Sequence, residues 1–283
     1  MPDSLIAPAG RLGVPVRPVD IPSLRAGIAP LGELTVADKA GPVAAASLAP
    51  YLLFGFPAAA HALRALTRTA RAQNPVDSVL LADDKAAAAQ RLAEAGVAQV
   101  RTEICPSDPG QVAAVAAEIG YPVVVKRTHG AQGRWVRRAA EPAALATALA
   151  ELAAEGPGAL IVQPEVVECA GTSVRAVLTG GRLLAVTERR AAPPEWRSNI
   201  AGGAAQRRVV LTGEESDLVH QAAAALGLGH AGVDLIEDGH GAIRVLEVDA
   251  WAGFAGITAV TGADVAGAIL DHVTARHAQG AGR

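Results

Sequence analysis

The stretch AGVDLIEDGHGAIRVLEVD, residues 231–249, decides how the C-terminal half of the chain is read. Two aliphatic, β-rich runs flank a polar, glycine-containing centre, which is the composition of a β-hairpin. A turn centred on His240 and Gly241 pairs Asp234 with Glu247 and leaves Asp249, two residues further on, on the same face. Val233, Leu235, Leu246 and Val248 alternate with them and are expected on the buried face. Two carboxylates about 4–5 Å apart repel by roughly 3–4 kcal/mol at an effective dielectric near 20, so three on one ribbon call for a counter-charge. A divalent cation is the simplest one, and oxygen-only ligands favour Mg²⁺ or Mn²⁺. The hairpin alone leaves a solvated acidic face equally open.

Outward from this hairpin, SVRAVLTGGRLLAVTERR (173–190) reads as a second hairpin about Gly180-Gly181. It is followed by a polar loop with Trp196, Arg197, Ser198 and Asn199, then a helix from Glu215 to Leu228. Earlier, Tyr121–Lys126 is an apolar strand that stops at a lysine, beside a loop carrying Gly130, Gln132 and Gly133. Backbone N–H groups in such a loop can approach phosphate oxygens, and the ammonium can neutralise them. The spacing excludes a P-loop, and no GxGxxG fingerprint is present. Helices are expected from Ala58 to Ala72, from Lys85 to Ala95 with Gly96 as C-cap, over Gln111–Ile119, over 144–155, and from Thr261 to about His277. A strand over 159–167 leaves the core at Gln163-Pro164.

At 283 residues the chain can bury a substantial core, and its apolar 51% contains only 3% aromatics, which suits Ala/Val/Leu helices packed on strands. The class is α/β. No apolar run reaches the roughly 20 residues of a membrane span, and MPDSLIAPAGRLG lacks the layout of a secretory leader, so a cytoplasmic address is expected. The formal charge of −3 offers no basic excess for nucleic acid. Cys105 and Cys169 have no metal or disulfide spacing and read as ordinary thiols.

In order and near-matching gaps these elements resemble the ATP-grasp ligases of the RimK type. The likeness is carried by residues 173–204 (SVRAVLTGGRLLAVTERRAAPPEWRSNIAGGA), 224–237 (AALGLGHAGVDLIE) and 245–270 (VLEVDAWAGFAGITAVTGADVAGAIL), with NPVDSVLLADDKAAAAQRLAEAGV (74–97) leading in. It implies an ATP-grasp fold: two α+β grasping domains (81–163 and 164–283) around the nucleotide, after a small, abbreviated α/β N-terminal domain (1–80). The resemblance assigns Lys85 and Lys126 to ATP phosphates, and Gly130, Gln132 and Gly133 to the loop closing over them. Gln163, Pro164 and Glu165 would line the adenine pocket, and Ser173 stands where the family has an acidic residue near the ribose. Arg175 would lie near the reacting groups, Arg197 and Asn199 would meet phosphate and acyl phosphate, and Asp234, Glu247 and Asp249 would ligate metal.

The implied reaction joins a carboxylate to an amine through an acyl phosphate, using ATP with Mg²⁺ or Mn²⁺. L-glutamate is the expected amine, because Arg175, Arg189, Arg190 and Arg197 offer partners for its carboxylates. The acceptor would be a carboxylate on a small cofactor precursor of pterin or furan type, or on a peptide; a homo-oligomer is left open. Four departures from the family pattern stand out: Asp249 in place of Asn, Trp135 in place of a second loop glycine, Ser173 in place of an acidic residue, and Trp251-Ala252 in place of Ser-Pro. The altered metal motif, Trp135 and the abbreviated N-terminal domain keep a second reading alive, a catalytically silent nucleotide-binding subunit with a regulatory or assembly role.

Overall fold

The computed structural model describes residues 3–30, 34–43, 47–48, 57–68, 71–130, 133–169, 171–200 and 203–278. The chain opens with helix α1 (Asp3–Arg11), a small antiparallel sheet of β1 (Arg25–Ile28), β2 (Leu34–Asp38) and β3 (Gly41–Pro42), and a parallel pair, β4 (Ser47–Leu48) with β5 (Arg71–Ala72). Between β4 and β5 lies α2 (Pro57–Leu66). It ends before the expected Ala72 because the Thr67 hydroxyl caps the Arg64 carbonyl at 3.0 Å and the chain turns there into β5.

Two short helices meet end to end at Asp84: α3 (Val76–Asp83), which periodicity did not reveal, and α4 (Lys85–Glu94). The Asp84 carboxylate accepts from the N–H groups of Ala86 and Ala87, so it caps α4 and turns Lys85 off the first helix. A four-stranded sheet follows, built of β6 (Glu103–Cys105), β7 (Val123–Arg127), β8 (Val136–Ala139) and β9 (Leu160–Pro164) in the order β6-β9-β7-β8. Helices α5 (Pro109–Ile119) and α6 (Pro142–Ala153) cover one face of it through Val112, Ala116, Leu145, Leu149 and Leu152.

The larger sheet has the order β12-β11-β10-β13-β14, from β10 (Thr172–Thr179), β11 (Arg182–Arg190), β12 (Ala205–Arg208), β13 (His230–Glu237) and β14 (Ile243–Asp249). Helix α7 (Gly213–Ala225) starts in a capping box in which Thr212 and Glu215 bond reciprocally, and it packs on this sheet with α2 and α3 in one core that also takes in Leu24 and Val36. A second cluster joins α1, α8 (Ala255–Thr261) and α9 (Val265–Ala278) to Val177 and Ala185. The expected final helix is α9, which starts a few residues later than Thr261, and α8 before it was not expected. Gly262 adopts a left-handed φ of 72° that closes α8, and Asp264 accepts from Gly267 N–H at 2.8 Å to open α9. Among the described residues no helix is long and apolar enough to cross a membrane.

Asp234 does face Glu247 across the 231–249 hairpin, but a bulge follows Asp234 and the register shifts there, pairing Leu235 with Val245. Val245 consequently enters the core, and Leu246, expected on the buried face, lines the cleft between the two sheets. One buried amide holds this hairpin to the segment before α3. Asn74 donates to the carbonyls of His230 (2.8 Å) and Ala250 (3.2 Å) and accepts from Gly229 and His230 N–H (both 2.8 Å), which uses its full hydrogen-bonding capacity. Asn74→Ala strands all four backbone groups out of water. It should destabilise the chain by about 2–4 kcal/mol, measured as a lower urea midpoint.

Candidate active site

The cleft between the two sheets holds a cavity of about 850 Å³. Its walls gather nearly every residue singled out from sequence: Lys85, Lys126, Gly130, Gly133, Gln163, Pro164, Glu165, Arg175, Arg197, Asn199, Asp234, Glu247 and Asp249. Gln132 lies outside the described residues. Ser173 is the exception: it is buried, its hydroxyl 2.6 Å from that of Ser198, and Ser198 lines the cavity in its place.

The floor follows from strand register. Arg175 on β10 faces Asp234 on β13, which faces Glu247 on β14, so a cation and two carboxylates form one row across three strands. Arg175 grips both oxygens of Asp234, at 2.5 and 2.7 Å, and reaches diagonally to Asp249 at 3.1 Å. That reach passes over Gly232, where a Cβ would stand 2.3 Å from Arg175 Nη1 and 2.9 Å from Ala252 Cβ. Burial works against the Arg175 charge, but Asp234 and Asp249 outweigh it and hold the guanidinium above the usual arginine range.

The counter-charge that the hairpin demands is thus supplied largely by the protein itself. Lys85 Nζ lies 3.0 Å from Glu247 Oε1 and donates to the Gly130 carbonyl at 2.7 Å, tying α4 to the loop after β7. Although burial opposes the Glu247 charge, Lys85 and Lys126 keep its carboxyl below the ordinary range. Among the described residues the three carboxylates do not converge as one cluster able to hold a metal ion, and Asp234 is spent on Arg175. Glu247 and Asp249 still fit a hard cation held mainly by nucleotide phosphates, which asks one or two carboxylates of the protein.

The opposite wall is made of the loop after β7 and the loop after β11. Arg197 donates to the Gly133 carbonyl at 2.9 Å and is held by Glu195 through Nε and Nη2, at 3.0 and 2.9 Å. The hydrogen bonds from Arg197 lower the Glu195 carboxyl to about 2. Gly133, with φ 71°, would place a Cβ 3.2 Å from Arg197 Cδ and 3.5 Å from Asn199 Oδ1, so the close approach of these two loops requires a residue without one. Trp135 packs against Gly130, where a Cβ would meet its ring at 2.5 Å, and the Arg134 guanidinium lies over the ring at 4.4 Å.

At the far end Gln163 is buried and donates to the Thr102 hydroxyl at 2.8 Å, and Glu165 pairs with Arg138 at 2.6 Å. The sequence reading missed Asp83, Glu195 and Gln206, all polar groups of or beside this cavity. Asp83 had a signal, since it adjoins Lys85; burial raises its carboxyl above the usual range. Arg190, counted among the site's arginines, points elsewhere: its side chain is 68% exposed and its partner is Glu188.

A two-sheet clamp with lysines, a glycine loop and carboxylates around one cleft defines the ATP-grasp class. The RimK-like ATP-grasp domain matches residues 82–273, and the chain belongs to that family. It is 34% identical over 206 residues to a probable alpha-L-glutamate ligase of Serratia proteamaculans (70% of this chain, 66% of that protein). It is 35% identical over 204 residues to one of Xanthomonas campestris (71% and 68%). The chain thus spans about two thirds of these curated relatives. In fold it is similar to the ATP-grasp ligase PsnB in complex with a minimal precursor (TM-score 0.73, 20% identity, 97% and 94% covered). It is likewise similar to a RimK domain ATP-grasp protein of Sphaerobacter thermophilus (TM-score 0.71, 24% identity, 95% and 94% covered).

Lys126 provides a test by pH. Its ammonium is buried, and burial, with Lys85 adding to it, lowers its pKa to about 8 despite the pull of Glu247. A polyphosphate bound in the cleft favours the charged form, so affinity for a non-hydrolysable ATP analogue should fall as pH rises from 7 to 9, and Lys126→Met should flatten that decline. Stability of the free protein carries the opposite sign. Between about pH 8 and the ordinary lysine value the unfolded chain binds the extra proton, so this residue's contribution to stability rises with pH through that window. Calorimetric titration and urea unfolding at three pH values check the two slopes.

Proposed function

We propose that this chain is an ATP-dependent carboxylate–amine ligase that forms an amide through an acyl phosphate, with L-glutamate as the amine. The observation that carries this reading is one cavity lined by both lysines, Gly130, Gly133, Arg197, Asn199 and the Glu247/Asp249 pair. The names of the curated relatives favour glutamate. The peptide complexes of the structurally similar PsnB favour a peptide acceptor beside the small cofactor precursors of pterin or furan type.

In this reading Lys85 and Lys126 orient the polyphosphate, and the loop after β7 donates backbone N–H groups to it. A divalent cation at Glu247 and Asp249 would neutralise charge on the β- and γ-phosphates, with Mg²⁺ as the fitting ion. Arg197, already anchored to the Gly133 carbonyl, and Asn199 stabilise the phosphoryl group as it passes to the acceptor carboxylate. The amine then attacks the acyl carbon and phosphate leaves. Enclosure between the sheets limits hydrolysis of the acyl phosphate, which would waste ATP.

Incubation with ATP, Mg²⁺, L-glutamate and pools of candidate carboxylates, followed by mass analysis, should reveal a product heavier by one glutamyl residue and ADP release that depends on the acceptor. Nucleotide binding with no such product in any pool would favour a silent subunit. Arg197→Ala should lower turnover roughly a hundredfold or more while leaving nucleotide affinity within a few-fold, because its target charge is greatest in the transition state. Equal loss of both would remove Arg197 from the chemical step.

A further inference from the structure

Three of the strong cations on the cavity wall have an internal anionic or carbonyl partner at short range. Arg175 is committed to Asp234 and Asp249, Arg197 to Glu195 and the Gly133 carbonyl, and Lys85 to Glu247 and the Gly130 carbonyl. Lys126 is fully enclosed beside Glu247 and Lys85. Arg189, on β11, differs. Its side chain is only 12% exposed, its single ion-pair contact is a 3.5 Å approach to an Asp234 oxygen that Arg175 already holds, and its Nε is buried with no hydrogen-bond partner among the described residues. A buried donor in that state costs free energy unless a ligand completes it.

Its surroundings suit a ligand. Gln206 on β12 pairs directly with Arg189 across the strands and also lines the cavity. Its Oε1 accepts from the Thr187 hydroxyl at 3.1 Å, which fixes the amide and leaves Nε2 as the donor end, toward Gly256, where a Cβ would come within 2.9 Å of it. Phe254 and Ile257 add apolar wall at the same end. A guanidinium and an amide N–H₂ side by side, edged by apolar surface, match a carboxylate on a short aliphatic stem.

We propose that Arg189, with Gln206 beside it, binds a carboxylate of the amino-acid substrate that does not react. The assignment rests on the ligase reading above. Whatever the acceptor, an amino acid used as the amine keeps its carboxylates ionised while its nitrogen attacks, and the cations that serve phosphate are engaged elsewhere. Arg189 is a binding residue in this role and takes no part in phosphoryl transfer.

The test is calorimetric titration of the full chain, saturated with AMPPNP and Mg²⁺, with L-glutamate, L-glutamine and L-isoglutamine. The two amides each delete one carboxylate and so tell which of the two is held. The parent protein should prefer L-glutamate to at least one amide by about tenfold or more, the range of one charge-assisted contact. Arg189→Met should reduce that preference to below about twofold, Arg189→Lys should restore part of it, and both variants should bind AMPPNP as the parent does. A parent with no preference for the carboxylate, or an Arg189→Met protein that keeps the preference, overturns the assignment. A parent that fails to bind AMPPNP at all would instead overturn the ligase reading, so the two failures are distinct.

Discussion

The site depends on the guanidinium of Arg175 lying over Gly232 between Asp234 and Asp249. It is a buried ion cluster on the floor of the larger sheet, and removing one partner from such a cluster leaves an uncompensated charge at a cost of about 3–5 kcal/mol. Its geometry is set by backbone: direct pairing of β10 with β13 brings Arg175 opposite Asp234, and a missing Cβ at Gly232 lets it reach the next row. With Asp234 satisfied in this way, Glu247 is left for Lys85, which draws α4 and the loop after β7 toward the sheet.

The cleft is therefore charged before any substrate arrives. Lys85, Lys126, Arg175 and Arg189 outnumber Asp234, Glu247 and Asp249, while burial is what chiefly depresses the pKa of Lys126. Such a site favours a polyanion and needs little rearrangement of its own dipoles to receive one, which is what electrostatic preorganisation requires. Side-chain ties across the cleft include Arg197 to the Gly133 carbonyl and Lys85 to the Gly130 carbonyl.

The departures from the family pattern fit this frame. Asp249 accepts from Trp251 N–H at 2.8 Å and from Arg175, so its extra negative charge is offset by the same guanidinium that serves Asp234. Trp135 lies under the Arg134 guanidinium and packs against Gly130. Trp251 is buried beside Ala250 in the main core, where it supplies packing area.

The sequence by itself determined the two hairpins, the strand ending at Lys126, the glycine loop and the pairing of Asp234 with Glu247, because each follows from local periodicity and turn chemistry. It was silent on α3, too short and too evenly apolar to show a helical stripe, and on α8, the short helix that Gly262 closes. It also misplaced Leu246, because a bulge shifts register without leaving a mark in the alternation of residue types. The order of strands in the larger sheet was decided only by tertiary structure, and with it the identity of the counter-charge. Arg175 and Asp234 are far apart along the chain, and only their pairing across β10 and β13 shows that a guanidinium holds that carboxylate. The same holds for the arginines as a group: composition counts four near the loop, whereas packing turns Arg190 to solvent, commits Arg175 and Arg197 to carboxylates, and leaves Arg189 facing the cavity. Which charges neutralise one another depends on distances of a few ångströms across strands, and no linear pattern encodes them.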